Sequence, residues 1–154
     1  MKYLFLSIAL FFASFAAPNY ASADYQSLLD STSRYVEFVN QFGSEEGGAE
    51  GSESIFAPTF RKSVNGELSD ETPESFLEQM EFAKIWVGGW YAQVLNVTVS
   101  PETQSATIYY ICTTKEEKAY ITFAMLHFNE DNQITELTTV YNLYAGQEDL
   151  VHIN

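Results

Sequence analysis

The chain has 154 residues, of which 46% are hydrophobic, and its 21 acidic residues against 7 lysines and arginines give a formal net charge of −14. A surface of this sign repels nucleic acid and anionic lipid headgroups, so neither is an expected partner. Cys112 is the only cysteine, which excludes an internal disulfide and a thiolate metal cluster. The sequence predicts no metal site and no cofactor.

Residues 1–23 have the order of features that is typical of a cleavable export signal. One lysine precedes an apolar run over 3–17, and the small residues Ala21-Ser22-Ala23 follow. The apolar run is too short to span a bilayer. The sequence therefore predicts a secreted or periplasmic protein with a single domain over 24–154 and no membrane span. An uncleaved N-terminal anchor is the alternative.

The spacing of apolar residues predicts two long helices. The first covers 25–42 and ends at Gly43; the second covers 73–86 and begins at Thr72-Pro73, a capping hydroxyl followed by a proline. Between them, a Gly- and Glu-rich loop over 44–53 leads into a short turn or helix over 54–57.

The remaining segments alternate between apolar and polar residues, which is typical of strands. A first strand ends at the turn dipeptide Asn65-Gly66, and short polar links between the later runs predict antiparallel hairpins. The predicted strands cover 60–64, 90–99, 105–114, 118–128 and 133–144. Helices followed by such a meander predict an α+β domain whose helices pack on the concave face of a curved antiparallel sheet.

Two segments resemble a known superfamily in their order and spacing. Ile55-Phe56-Ala57-Pro58-Thr59-Phe60 is followed by Val64-Asn65-Gly66, and a later turn reads Leu126-His127-Phe128-Asn129-Glu130-Asp131-Asn132-Gln133-Ile134-Thr135-Glu136. With the two helices, they resemble the nuclear-transport-factor-2-like superfamily, in particular its SnoaL-like branch. The resemblance implies a cone-shaped fold with a pocket between helices and sheet. It implies no single activity, because members include isomerases, cyclases, hydrolases and binding or assembly domains.

Strand alternation divides the sheet residues between two faces, and the resemblance implies that Phe128 and Ile134 point towards the helices. The inner face is then predicted to carry Ala106, Ile108, Tyr110, Cys112, Tyr120, Thr122, Ala124, Leu126, Phe128, Ile134, Glu136, Thr138, Val140 and Asn142. The outer face is predicted to carry an apolar patch of Tyr109, Ile111, Phe123, Met125, Leu137, Tyr141 and Leu143. A patch of that size predicts a homodimer packed sheet to sheet.

Glu136 is the strongest candidate for a catalytic residue. A carboxylate inside an apolar cone could act as a general base, with Tyr110 or Tyr120 donating a hydrogen bond to a developing oxyanion. The alternative is a solvated glutamate at the cone mouth, paired with Arg61 or Lys62. His127 is predicted on the outer face.

The predicted ligand-binding residues are of two kinds. Trp86 and Trp90 flank Gly88-Gly89 and could stack on a flat ligand, although they could equally close the end of the core. Thr122, Thr138 and Asn142 are polar groups predicted to converge in an apolar cavity.

Three functions remain open at this point. The first is a domain that binds a small apolar molecule without established catalysis. The second is an isomerase-, cyclase- or hydratase-type enzyme that uses Glu136. The third is a protein-interaction module in an envelope assembly.

The export signal gives the first testable prediction. Mass spectrometry of the protein purified from its own host should show a chain that begins at Asp24, because the small residues at 21–23 form the expected cleavage site. A full-length mass would contradict both the predicted cleavage and the predicted export of the protein.

Overall fold

A computed structural model describes residues 22–45, 47–48 and 50–145. Most of the predicted export signal, and His152, lie outside these residues. The helices are α1 (Ser22–Gly43), α2 (Ser52–Ile55) and α3 (Pro73–Val87), and a single 3-10 turn covers Pro101–Thr103. The strands are β1 (Phe56–Val64), β2 (Glu67–Glu71), β3 (Trp90–Ser100), β4 (Ser105–Thr114), β5 (Ala119–Phe128) and β6 (Ile134–Ala145).

The six strands form one sheet in the order β2-β1-β6-β5-β4-β3. The pairs β1–β2, β3–β4, β4–β5 and β5–β6 are antiparallel, whereas β1 and β6 are parallel, so the sheet is mixed. The predicted α+β class, both long helices and the hairpin meander are confirmed. Strand β2 was not predicted, because its acidic sequence Glu67–Glu71 lacks the apolar alternation of a half-buried strand.

Aromatic packing joins the helices to the inner face of the sheet. Phe56 lies at the centre, with its ring 4.8 Å from that of Phe60, 5.1 Å from that of Phe76 and 5.6 Å from that of Phe38. All four side chains are buried. Such offset and edge-to-face contacts stabilise a core beyond the area they bury.

Helix α1 is also fixed to the edge strand β3 by polar contacts. The Asn40 amide accepts a hydrogen bond from the Ala92 N–H (2.6 Å) and donates one to the Ala92 carbonyl (3.1 Å). The Trp90 indole N–H donates to the Val39 carbonyl at 3.0 Å. These contacts hold α1 across the sheet while they satisfy the backbone of an edge strand.

The start of α3 is fixed by its cap and by a buried ion pair. Thr72 and Ser75 form a reciprocal capping box. Nearby, the Lys62 ammonium lies 3.2 Å from the Glu71 carboxylate and donates to the Gln79 amide oxygen, and both charged side chains are almost fully buried. Glu71 also accepts hydrogen bonds from the Ser75 hydroxyl (2.6 Å) and the Gln79 amide (2.8 Å). Helix α3 is thereby tied to β1 and β2.

A bulge near the start of β6 decides which of its side chains face the helices. Phe128 pairs with Ile134 but His127 pairs with Glu136, so Thr135 is an extra residue on β6. Beyond the bulge the alternation is reversed relative to the predicted one. The inner-face prediction for Glu136, Thr138, Val140 and Asn142 is therefore wrong, as is the outer-face prediction for Leu137, Tyr141 and Leu143.

The remaining face assignments agree with the structure. On β4 and β5, the residues predicted inside are buried or half-buried, and Phe123 and Met125 are exposed on the outer face. His127 lies on the outer face, as predicted, and it pairs there with Glu136. The outer apolar patch now consists of Tyr109, Ile111, Ile121, Phe123, Met125 and Val140.

The environment of Glu71 generates a prediction about acid stability. Burial by itself would raise the pKa of Glu71, but hydrogen bonds from Gln79, Ser75, Ser69 and Lys62 outweigh it and lower the pKa from 4.5 to about 2. Because the unfolded chain takes up this proton first, the stabilisation is present at neutral pH and is lost as the pH falls from about 5 to about 2. A shift of this size corresponds to about 3 kcal/mol.

Glu71→Gln should therefore lower the free energy of unfolding in urea by about 3 kcal/mol at pH 7, and the difference from wild type should shrink towards pH 2. The control is Glu78→Gln, which changes an exposed carboxylate on the adjoining helix α3. A Glu71→Gln deficit that does not change with pH would show that the carboxylate charge is not what stabilises this end of α3.

Candidate functional site

Two adjoining cavities lie between the helices and the inner face of the sheet. We call them the Lys62 cavity, of about 290 Å³, and the Thr114 cavity, of about 320 Å³. They share part of their lining, namely Ala83, Trp90, Tyr110, Cys112, Thr139 and Tyr141. The shared wall makes them two parts of one elongated site.

The Lys62 cavity is an apolar space with one charged group in its wall. Val39, Phe76 and Met80 supply apolar lining, and Lys62 contributes its side chain beside Gln79. Because Glu71 pairs with the Lys62 ammonium, that positive charge is already neutralised. The Lys62 cavity therefore offers a ligand a hydrogen-bond donor without a net positive charge.

Two buried phenols and a thiol line the middle of the site. Burial, together with the nearby Tyr35 and Cys112, raises the pKa of Tyr110 well above its ordinary value. Burial also raises the pKa of Tyr35, and it raises the pKa of the Cys112 thiol to about 11. All three groups are therefore neutral at physiological pH and can act as hydrogen-bond donors but not as bases.

The Thr114 cavity is walled mainly by aromatic residues and threonines. The Tyr120 and Tyr141 rings meet edge to face at 5.9 Å, and the Trp90 ring is stacked 6.2 Å from that of Phe42. The hydroxyl-bearing residues are Thr114, Thr122 and Thr139. This lining can bind an apolar body and orient it through a few polar contacts.

Four of the predicted site residues meet in this region. Tyr110, Tyr120, Thr122 and Trp90 all line the Thr114 cavity, and Tyr110 and Trp90 line the Lys62 cavity as well. They come together because β4 and β5 pair Tyr110 with Thr122 and Cys112 with Tyr120. Their roles in catalysis or binding remain predictions.

The other predicted site residues lie elsewhere. Glu136 is on the outer face, with its side chain 48% exposed and 3.8 Å from the Arg61 guanidinium. The pairing with Arg61 agrees with the alternative prediction, but the position on the outer face differs from both the cone interior and the cone mouth. Thr138 and Asn142 follow it on the outer face because of the β6 bulge. Trp86 is 71% exposed beside Phe82 on the outer side of α3, whereas Ala83 and Val87 face the cavity.

Several residues that line the cavities were not predicted from the sequence. For one of them, Lys62, the sequence pattern does indicate a buried position. Lys62 lies between Phe60 and Val64 at alternate positions of β1, so a single basic residue falls on an otherwise apolar strand face. That pattern indicates a buried, paired lysine. Tyr35 and Thr114 carry no comparable signal, because their proximity depends on how α1 crosses the sheet.

A larger hollow of about 440 Å³ lies outside this site, around Arg61, Asp70 and Glu136. The Arg61 guanidinium lies within 4.0 Å of both carboxylates, and all three side chains are well exposed. Its charge is therefore compensated and screened by water. The hollow carries no group whose chemistry is unusual.

Neither a metal centre nor a membrane helix is found in the part of the chain that the structure describes. Over residues 22–45, 47–48 and 50–145, the His, Cys, Asp and Glu side chains form no group of three that could hold a metal ion. Among the described helices, none combines the length and the apolar character that crossing a membrane requires.

Comparisons by sequence found no match, either to a family model or to a curated protein. Solved structures do match. A candidate SnoaL-like polyketide cyclase from Jannaschia sp. CCS1 is 12% identical, with a TM-score of 0.66 over 79% of this chain and 90% of that one. A candidate isomerase of the SnoaL-like family from Agrobacterium tumefaciens C58 is 10% identical, with a TM-score of 0.58 over 76% and 98%. A candidate polyketide cyclase from Streptomyces antibioticus is 12% identical, with a TM-score of 0.61 over 75% and 91%.

At this level of identity the similarity establishes architecture and leaves activity open. The resemblance predicted from the segments around Phe56 and Phe128 is thus confirmed in the arrangement of helices and strands. The chain has the cone-shaped α+β fold of the nuclear-transport-factor-2-like proteins, as the SnoaL-like proteins do.

Proposed function

We propose that this protein is an exported domain that binds a small, mainly apolar molecule in the Lys62 and Thr114 cavities. The observation that carries the proposal is the composition of the cavity wall. Apolar and aromatic side chains form most of it, while neutral hydroxyls and one neutralised lysine supply a few polar contacts. Small-molecule sites in proteins have this character.

Catalysis has less support than binding. Two of the structurally similar proteins are named as polyketide cyclases and one as an isomerase, and a reaction of either type would need a base near the substrate. Among the described residues, no Asp, Glu or His lines either cavity. Glu136 cannot act from the outer face on a molecule bound inside.

A dye-binding experiment tests the proposal. N-phenyl-1-naphthylamine, an uncharged apolar dye, should bind the purified protein saturably and fluoresce more strongly. Thr139→Phe should weaken this binding at least about tenfold, or about 1.4 kcal/mol, because the added ring fills space that both cavities share.

The matched control is Thr138→Phe, the same substitution one residue away on the outer face. It should leave dye affinity unchanged. Equal effects of the two substitutions, or the absence of saturable binding to the wild type, would refute the proposed binding site.

We also propose that the outer face of the sheet pairs with a second copy of the chain. The support is the corrected outer patch: the Tyr109 and Phe123 rings stack 4.6 Å apart, and Phe123, Met125 and Val140 are 49%, 40% and 53% exposed. A contiguous apolar face of this kind marks an interaction surface, and a two-fold partner would cover it with the same patch.

Sedimentation velocity at micromolar concentration should therefore show a dimer. Phe123→Lys should convert it to a monomer, because a charge at the centre of the interface would be buried without a partner. Ile85→Lys is the control, since Ile85 is 72% exposed on α3, away from the sheet. A wild-type monomer, or a dimer lost only in Ile85→Lys, would exclude this interface.

A further inference from the structure

The Thr114 hydroxyl has an unusual environment. The Thr114 side chain ends β4 at the cavity wall and is 7% exposed. Its backbone is satisfied, because its N–H donates to the Lys118 carbonyl (2.9 Å) and its carbonyl accepts from the Glu117 N–H (3.0 Å). Among the described residues, its Oγ1 is the only buried side-chain polar atom that lacks a hydrogen-bond partner.

An unpaired buried hydroxyl is costly, and native proteins rarely keep one without a reason. Thr114 lines free volume, although its Oγ1 is shielded from solvent in the free protein. Contact with a bound molecule therefore requires rotation about the Cα–Cβ bond to another staggered position, which turns the hydroxyl from the wall towards the cavity. A hydroxyl can donate one hydrogen bond and accept others. Its natural complement is therefore a hydroxyl or carbonyl group of the ligand.

The surroundings of Thr114 favour an uncharged ligand group. The described residues that line the Thr114 cavity include no Asp, Glu, Lys, Arg or His. The two nearest lysines in the sequence are engaged, since Lys115 binds Glu45 and Lys118 binds Glu116. A charged headgroup here would lose its hydration and gain no counter-charge.

The shape of the site favours a long molecule. Tyr110 and Thr114 are four residues apart on β4, which corresponds to about 13 Å along a strand. Tyr110 also lines the Lys62 cavity, where Val39, Phe76 and Met80 continue the apolar wall. A ligand held at Thr114 thus has an apolar path that leads past Tyr110.

Given the proposed function, on which this inference rests, we propose the class of ligand. It is an elongated, uncharged amphipathic molecule. Its hydroxyl or carbonyl head hydrogen-bonds to Thr114 Oγ1, and its apolar body extends past Tyr110 towards the Lys62 cavity.

A competition experiment tests the proposed ligand class. Three probes, 1-decanol, 1-bromodecane and decanoate, compete with bound N-phenyl-1-naphthylamine at concentrations below those at which they aggregate. Thr114→Val replaces the hydroxyl by a methyl group of similar size. This substitution should weaken the binding of 1-decanol by about three- to tenfold, which corresponds to one neutral hydrogen bond. The affinity for 1-bromodecane should not change. Decanoate should bind the wild type more weakly than 1-decanol does.

Two controls separate the hydroxyl from general effects on the fold. Thr114→Ser keeps the hydroxyl and should keep the wild-type ratio of 1-decanol to 1-bromodecane affinity. Thr113→Val makes the same change at the preceding, exposed residue of β4 and should alter nothing.

Stability gives an independent readout. Without ligand, the thermal midpoint of Thr114→Val should equal or exceed that of the wild type, because valine removes an unsatisfied polar group. A lower midpoint would mean that the hydroxyl is satisfied in the free protein and would overturn the inference.

The inference and the proposed function fail in different ways. Dye binding with equal effects of Thr114→Val on 1-decanol and 1-bromodecane would overturn the role of Thr114 alone. If decanoate bound more tightly than 1-decanol, the proposal that the ligand has an uncharged headgroup would be wrong. Failure of the dye and of all three probes to bind would overturn the binding function itself.

Discussion

The extra residue at Thr135 is the constraint on which the inner and outer surfaces of the sheet both depend. Because side chains alternate along a strand, one inserted residue exchanges every position that follows it. Here it turns Leu137, Thr139 and Tyr141 towards the helices and Glu136 towards solvent. The same step removes a carboxylate from the cone and adds Val140 to the outer apolar patch. Among the described residues, the cone interior is thereby left without the carboxylate that acid–base chemistry would have used.

Apolar spacing, together with the residues that begin or end a segment, was enough to predict both long helices and all the strands except β2. Both long helices, the Asn65-Gly66 turn, the hairpins and the inner faces of β4 and β5 follow from apolar spacing and from residues that start or stop a segment. Three predicted site residues, Tyr110, Tyr120 and Thr122, are where alternation placed them. These features are local, so each could be read from a short stretch of chain.

The errors concern features that a short stretch of chain does not determine. Thr135 and Glu136 suit a regular strand as well as a bulge, so alternation alone could not place the extra residue. On α3, apolar residues occupy both faces: Met80 packs inwards while Phe82 and Trp86 are exposed. Trp86 was predicted at the pocket because it flanks Gly88-Gly89, but nearness to the glycines does not fix the face of α3 on which its side chain lies. The pairing of Lys62 with Glu71 depends on the fold of β1 against β2, which brings together residues on different strands.

Cys112 shows what a neutral cavity wall does to a reactive group. With its pKa at about 11, only about one thiol in ten thousand is ionised near pH 7, and the thiolate is the species that attacks disulfides. The burial of Cys112 in the cavity wall therefore makes this sulfur a poor partner for thiol–disulfide exchange. A chain with a single cysteine is in this way less prone to covalent cross-linking to its own copies.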